Sequence, residues 1–153
     1  MREILFRGKT LENSKWVYGS LVALLVDGKK TCCITSVAEV DVDNTVKDDL
    51  CFTFGRDVHI VVQETIGQET GIRDSNGKSI YEGDIVRAVN PDGDVRGIGD
   101  VEYLDEYGMW YCGGTLNDGL FDLKKGLECE FQVIGNVYDN PELMLTLRGR
   151  PLF

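Results

Sequence analysis

Apolar residues in this chain occur in short runs rich in β-branched and aromatic side chains, and polar turns separate the runs. The runs EILFRG and KWVYGSLVALLV bracket the polar segment KTLENS, which predicts a β-hairpin. Asp27-Gly28 ends the second run and predicts a two-residue turn, from which KTCCITSV returns as a third strand. We expect this opening meander to bury Phe6, Trp16 and Tyr18.

Further strands are predicted by DVHIVVQET, by DIVRAV and by ECEFQVIGNVY, while IGDVEYLDEYGMWYCGG predicts two strands joined at Glu106–Gly108. Asn140-Pro141-Glu142 is typical of a helix start, with Asn as N-cap and Pro at the first position. For VDVDNTVKDDL (residues 40–50) a strand edge, a short helix and a solvated loop stay open. Short strands separated by glycine-containing turns predict a small barrel or meander and disfavour a doubly wound α/β fold.

Charge narrows the range of partners. The chain has 153 residues, and 16 basic against 26 acidic side chains give it a net charge of −10. Nucleic-acid binders usually carry the opposite sign, because their affinity comes largely from neutralising phosphates. A solvated acidic surface is therefore the plain interpretation, and an acidic face that meets a basic protein or mimics nucleic acid is the alternative.

The spacing of the cysteines tests for a metal site, and the length of the apolar runs tests for a membrane helix. None of the five cysteines belongs to a C-x-x-C pair and the chain has one histidine, so the spacing of a structural zinc site is absent. Buried, reduced thiols in a cytoplasmic protein are expected instead. The apolar run LVALLV is six residues long, far short of the roughly 20 that a membrane helix needs. The sequence thus predicts a cytoplasmic protein with no metal, no cofactor and no membrane contact.

The stretch QETIGQETGIRDSNGKSIYEGDIV, residues 63–86, concentrates carboxylates and glycines as an active-site loop would. In DSNGKS, Asp74 and Asn76 match the first ligand positions of a calcium loop, but Gly77 comes two positions early and Ile85 stands where the final glutamate belongs. Asn76-Gly77 is better explained as a tight hairpin turn in which both central residues have positive φ. Ile72 and Ile80 would then be cross-strand neighbours.

Three titratable residues are candidates for acid–base chemistry. Glu82 and Asp84 flank Gly83 and could act as a pair, although a glycine bend followed by an aspartate that binds local N–H groups also starts many barrel strands. His59 lies within a strand pattern and would need an orienting carboxylate and a nucleophile. No nucleophile elbow or phosphate-binding loop is present in the sequence. We assign no catalytic, ligand-binding or metal-binding residue.

Taken together, REILFRGK, KWVYGSL, MWYCGG, FQVIGNVYDNPEL and the central stretch resemble the YopX-like family of phage and prophage proteins. The central stretch is the most specific part. It matches the family pattern at Thr65, Gly67, Gln68, Thr70, Gly71, Asp74, Asn76, Gly77, Ile80, Tyr81, Glu82, Gly83, Asp84, Ile85 and Val86. The resemblance covers roughly residues 2–143 and implies a phage or prophage protein of mostly β architecture, with no activity or site residue to carry over.

The fold we expect is mainly β, with a β-rich α+β fold as the alternative. An N-terminal β-meander subdomain (residues 1–62) precedes a small, partly open, SH3-like barrel (residues 63–143) with a short C-terminal helix. The last segment, residues 144–153, is too apolar for a free end and should dock on its own core or on a neighbouring subunit.

The function we expect is that of a phage accessory protein acting through protein contacts in the bacterial host cytoplasm, including contacts with further copies of itself. A nucleic-acid-associated regulator or an acidic nucleic-acid mimic is the alternative, and a hydrolase-type enzyme ranks third. Nucleic acid and membrane are disfavoured as partners.

Overall fold

The computed structural model of this protein describes residues 3–35 and 58–148. It is mainly β, with 55% strand and 12% helix, so the predicted fold class is confirmed. The segment of residues 40–50, Cys51 and the end of the apolar tail lie outside the described residues, and the predictions made for them stay predictions. The chain divides into two compact units, Met1–Gln68 and Glu69–Phe153.

The first unit is built from an antiparallel meander. Its strands run in the spatial order β4-β3-β2-β1, and the first two residues of β5 pair with the outer edge of β1. The strands are β1 (Phe6–Lys9), β2 (Trp16–Val26), β3 (Lys29–Thr35), β4 (Val58–Ile60) and β5 (Gly67–Arg73). Both predicted hairpins are present. The histidine-containing strand is shorter than expected, because a 3₁₀ turn at Gln63–Thr65 follows it.

A small apolar cluster holds the first unit together. Cys32, Ile34 and Val61 are buried, and Phe6, Val17, Leu21 and Ile66 pack against them. Tyr18 is 45% exposed, so the expectation that it is buried was wrong. The reason is strand alternation: Val17 and Leu21 face the cluster, and Tyr18 lies on the opposite face of β2. An isolated bridge joins Thr10 to Val61, the one contact of this kind found outside the named strands of the described residues.

The second unit contains a five-stranded antiparallel sheet in the order β10-β9-β8-β7-β11, and the remainder of β5 pairs with β6. The remaining strands are β6 (Ser79–Tyr81), β7 (Asp84–Val89), β8 (Val95–Leu104), β9 (Met109–Cys112), β10 (Asp118–Gly119) and β11 (Glu130–Asn136). A π-helical turn at Asp122–Gly126, which the sequence did not predict, precedes β11. Helix α1 (Pro141–Arg148) begins at the proline, as predicted.

The core of the second unit is larger than that of the first. Its fully buried side chains include Ile80, Val86, Leu120, Leu123 and Phe131. The sheets are not closed into a barrel, so the predicted SH3-like barrel is not confirmed. Closure would require the two edge strands to pair with each other. The outer edge of β11 is instead used by the turn after β5, where the N–H of Ser75 donates to the carbonyl of Phe131 at 2.8 Å.

Candidate interaction surface

The carboxylate-rich central stretch forms a turn and the start of a strand. The turn is wider than predicted. It spans Asp74–Lys78, the N–H of Gly77 donates to the carbonyl of Asp74 at 3.0 Å, and the N–H of Asp74 donates to the carbonyl of Lys78 at 2.8 Å. Gly77 has a φ of 78° but Asn76 is not among the residues with positive φ, so the prediction of two left-handed central residues was wrong. Ile72 packs on the cluster that contains Ile80, as their predicted proximity requires.

Asp74 organises this turn. Its Oδ1 accepts the N–H groups of Asn76 at 2.8 Å and Lys78 at 2.9 Å, and its Oδ2 accepts the N–H of Val133 on β11 at 3.4 Å. Burial raises the pKa of the Asp74 carboxyl, but these three N–H donors and the Lys78 charge outweigh burial and lower its pKa below the ordinary value. Asp74 is therefore a structural anion that ties the turn to the sheet.

Gly83 and Asp84 start strand β7. Gly83 has a φ of 84°, and the Oδ2 of Asp84 accepts the N–H of Tyr81 at 2.8 Å. The Asp84 side chain is 1% exposed, which removes it from contact with a dissolved substrate. This is the geometry of a glycine bend with a local aspartate cap. The neighbouring Glu82 is half-buried.

His59 lies in β4, opposite Ile34 of β3, and lines an open cavity of about 310 Å³ in the first unit. The cavity is lined by residues of the first turn and of β4, namely Thr10, Leu11, Glu12, Val58, His59 and Ile60. Neither Glu82 nor Asp84 belongs to that lining. The hydroxyl of Thr10 donates to Asn13 Oδ1 at 2.5 Å, which commits it to the turn rather than to His59. Glu12 lines the same cavity as His59, which sequence reasoning missed because the two residues are far apart along the chain.

Carboxylates also gather around Tyr111 and Cys112 on β9. Burial raises the pKa of Cys112 to about 12, and the charges of Asp100 and Asp118 act in the same direction. Burial and the charges of Glu102 and Asp118 raise the pKa of the Tyr111 phenol. Both groups are therefore held in their neutral forms. The thiols of Cys32, Cys33, Cys112 and Cys129 are free and buried, as the interpretation of reduced thiols predicts for these four.

Among residues 3–35 and 58–148, no group of three or more His, Cys, Asp and Glu side chains could hold a metal ion. Within the same residues, no helix is both long enough and apolar enough to cross a membrane.

The most unusual surface belongs to the ribbon formed by β2 and β3, defined here as residues 20–31. Strand β2 is eleven residues long and has no charged side chain. Strand β1 pairs with it only as far as Gly19, whereas β3 pairs with Ser20–Val26 from the other side. No strand of the described residues pairs with the β1-side edge of β2 beyond Gly19. Near the end of the ribbon, Leu25 is 79% exposed and Val26 is 49% exposed.

Hydrogen-bond alternation tells which main-chain groups lie on that open edge. The N–H of Thr10 donates to the carbonyl of Lys15 at 2.9 Å, so Lys15 faces the β1 side of β2. Successive residues of a strand point their hydrogen-bonding groups to alternate sides. The same side is therefore faced by Leu21, Ala23 and Leu25, while Val22 and Leu24 bond to β3. A long uncharged edge of this kind is a ready template for another strand.

Charge is unevenly distributed along the chain. Residues 3–35 carry five basic and three acidic side chains, a net charge of +2, whereas residues 69–153 carry eight basic and sixteen acidic side chains, a net charge of −8. Lys29 and Lys30 follow the predicted Asp27-Gly28 turn, in which both residues have positive φ. The ribbon therefore ends in a basic tip on a strongly acidic protein.

Comparison with known proteins agrees with the sequence resemblance. A family model described as YopX protein matches residues 5–145. The crystal structure of protein EF1440 from Enterococcus faecalis is similar to this chain, with a TM-score of 0.56 and 22% sequence identity. That likeness covers 94% of this chain and 99% of EF1440, and at this identity it concerns the fold alone. No curated protein matches the chain.

Proposed function

The chain belongs to the YopX family, and on that premise we propose that it is a phage- or prophage-encoded accessory protein that acts as a non-catalytic protein-interaction module. Its place of action is the cytoplasm of the bacterial host. One observation carries the proposal: the uncharged edge of β2 in the ribbon of residues 20–31, which no strand of the described residues covers. A partner segment in an extended conformation adds to this edge as a further strand.

The edge of a sheet presents a row of main-chain N–H and carbonyl groups that no neighbouring strand pairs with. Proteins usually protect edge strands with lysine, proline or a bulge, because an open apolar edge pairs with other chains. Strand β2 has none of these features between Ser20 and Val26. Strand addition supplies main-chain hydrogen bonds for affinity, while the exposed Leu25 and Val26 supply apolar contact.

Three groups that could take part in catalysis are unsuited to it by their positions. Asp84 is buried beneath its own turn, the Thr10 hydroxyl beside His59 is committed to Asn13, and Cys112 is a buried thiol with a raised pKa. A nucleophile needs an accessible atom and an adjacent base. None of these three groups combines the two.

The test compares partners captured by three tagged forms of the full chain in host cells carrying an induced prophage. Ala23→Lys places a charge on the open edge, and Val95→Lys makes the same change at an exposed position on β8. We expect a protein that is captured by the wild type and by Val95→Lys, lost with Ala23→Lys, and bound again when purified. If Ala23→Lys captures the same proteins as the wild type, the interaction surface is not this edge and the proposal fails.

A second candidate, a nucleic-acid-associated regulator, is favoured by the net charge of +2 in residues 3–35 and by the exposed Lys29 and Lys30 at the tip of the ribbon. Titration of a fluorescent oligonucleotide at two salt concentrations distinguishes it. Phosphate contacts make affinity fall steeply with salt. Absence of binding at low salt removes this candidate.

A further inference from the structure

The open edge of β2 fits a second copy of this chain, and we propose that two copies pair antiparallel through β2 about a two-fold axis at Ala23. The inference rests on the proposed function, because it names the partner of the same edge. The two strands and their β3 partners then form one continuous sheet across the axis. Most oligomers of identical chains have this closed two-fold symmetry, which uses the same patch on both subunits.

The main chain of the edge is self-complementary. Leu21, Ala23 and Leu25 point their N–H and carbonyl groups to the open side, as the parity of the first hairpin requires. With the axis at Ala23, Leu21 of one copy lies opposite Leu25 of the other, and Ala23 lies opposite its own counterpart. All six outward-facing residues of the two strands then find main-chain partners in a single register. The shifted registers use fewer of them.

The side chains of β2 agree with this register. A strand that pairs with its own copy brings like residues close together, so a charge near the axis repels itself. The eleven residues of β2 contain no charge, and Ala23 at the axis is small and exposed. The β2 sequence is therefore compatible with its own antiparallel copy.

The experiment is a charge exchange at the axis, read by sedimentation velocity on the full chain. The wild type should sediment as a dimer, with twice the 17.1 kDa mass of one chain. Ala23→Lys alone and Ala23→Glu alone should each weaken dimerisation at least tenfold, because like charges then face each other across the axis. An equimolar mixture of the two variants should restore the dimer, and circular dichroism should show each variant folded.

Val95→Lys is the matched control and should sediment as the wild type does, since Val95 lies on β8 and not on this edge. A monomeric wild type overturns the proposal, and so does a dimer that neither charged variant weakens. A mixture that stays monomeric also overturns it, because that result excludes pairing at Ala23. If the wild type is monomeric but Ala23→Lys still abolishes capture of a host protein, the proposed function stands and only the second copy is wrong.

Discussion

Two hairpins with similar sequence signals adopt different turns. Asp27-Gly28 is a two-residue turn in which both φ angles are positive, and it ends a ribbon whose outer edge no described strand covers. Asn76-Gly77 lies in a wider turn where only the glycine has positive φ, because the Asp74 carboxylate accepts two N–H groups of the turn. The difference shows that a buried anion next to a turn can override the local preference for a tight hairpin.

The largest expected effect tests Asp74 as the source of that difference. Replacing it with alanine leaves the N–H groups of Asn76, Lys78 and Val133 without their acceptor. We expect Asp74→Ala to lower the free energy of unfolding by about 2–3 kcal/mol, the usual range for hydrogen bonds to a buried charge. Urea denaturation followed by circular dichroism measures the change.

Asp92→Ala is the control for that experiment, since Asp92 accepts one N–H, from Asp94 at 3.3 Å, in an exposed turn. It should cost less than about 0.5 kcal/mol, as surface substitutions usually do. Equal losses for the two variants would show that Asp74 does not anchor its turn.

The same carboxylate predicts a pH dependence. Because the folded-state pKa of Asp74 is lower than its ordinary value of 3.8, its stabilisation is complete above that value and is lost as pH falls through the folded-state pKa. The stability gap between the wild type and Asp74→Asn should therefore shrink when unfolding is measured below pH 3.8. A gap that stays constant from pH 7 to the acid limit would contradict the assignment.

Replacing a residue with glycine should change the stability of the protein in opposite directions at the two turns. Asp27 is held at a φ of 50°, so Asp27→Gly removes backbone strain and should raise stability by roughly 0.5 kcal/mol. Asn76 is under no such strain, and Asn76→Gly should lower stability by roughly 0.5–1 kcal/mol through the entropy of the unfolded chain. Thermal unfolding of both variants in parallel is the measurement, and two shifts of the same sign would argue against the contrast.

The smallest expected effect is a change in the hydrogen-exchange rate of single backbone amides on the open edge. In the Ala23→Lys variant, the amides of Leu21 and Leu25 should exchange with solvent quickly, while Val22 and Leu24 stay protected by β3. In the wild-type dimer all four amides should be protected. Hydrogen exchange read by NMR separates these cases, and protected Leu21 and Leu25 amides in a monomer would show that the edge is covered within one chain.

Local chemistry accounts for the parts that the sequence predicted correctly. Asp27-Gly28 favours positive φ at both positions, Pro141 suits the first turn of a helix, and uncharged β-branched runs favour strands. The family assignment also follows from the order of quoted segments, which the match over residues 5–145 confirms.

Errors arose where distant segments meet. The Asp74 turn is also held by Val133 and Phe131 on β11, far along the chain. No periodic pattern of apolar residues in the sequence predicts the π-helical turn at Asp122–Gly126. Tyr18 was misassigned because a run that is apolar at nearly every position does not reveal which face is buried.

The sequence by itself determined that this is a mainly β member of its family, with an uncharged second strand and an acidic C-terminal half. Tertiary structure alone decided that β1 stops at Gly19 of β2 and that β3 covers only the opposite side. Strand pairing depends on residues far apart along the chain, and no local pattern encodes where a partner strand ends. The open edge, on which the proposed function depends, is therefore a property of the fold.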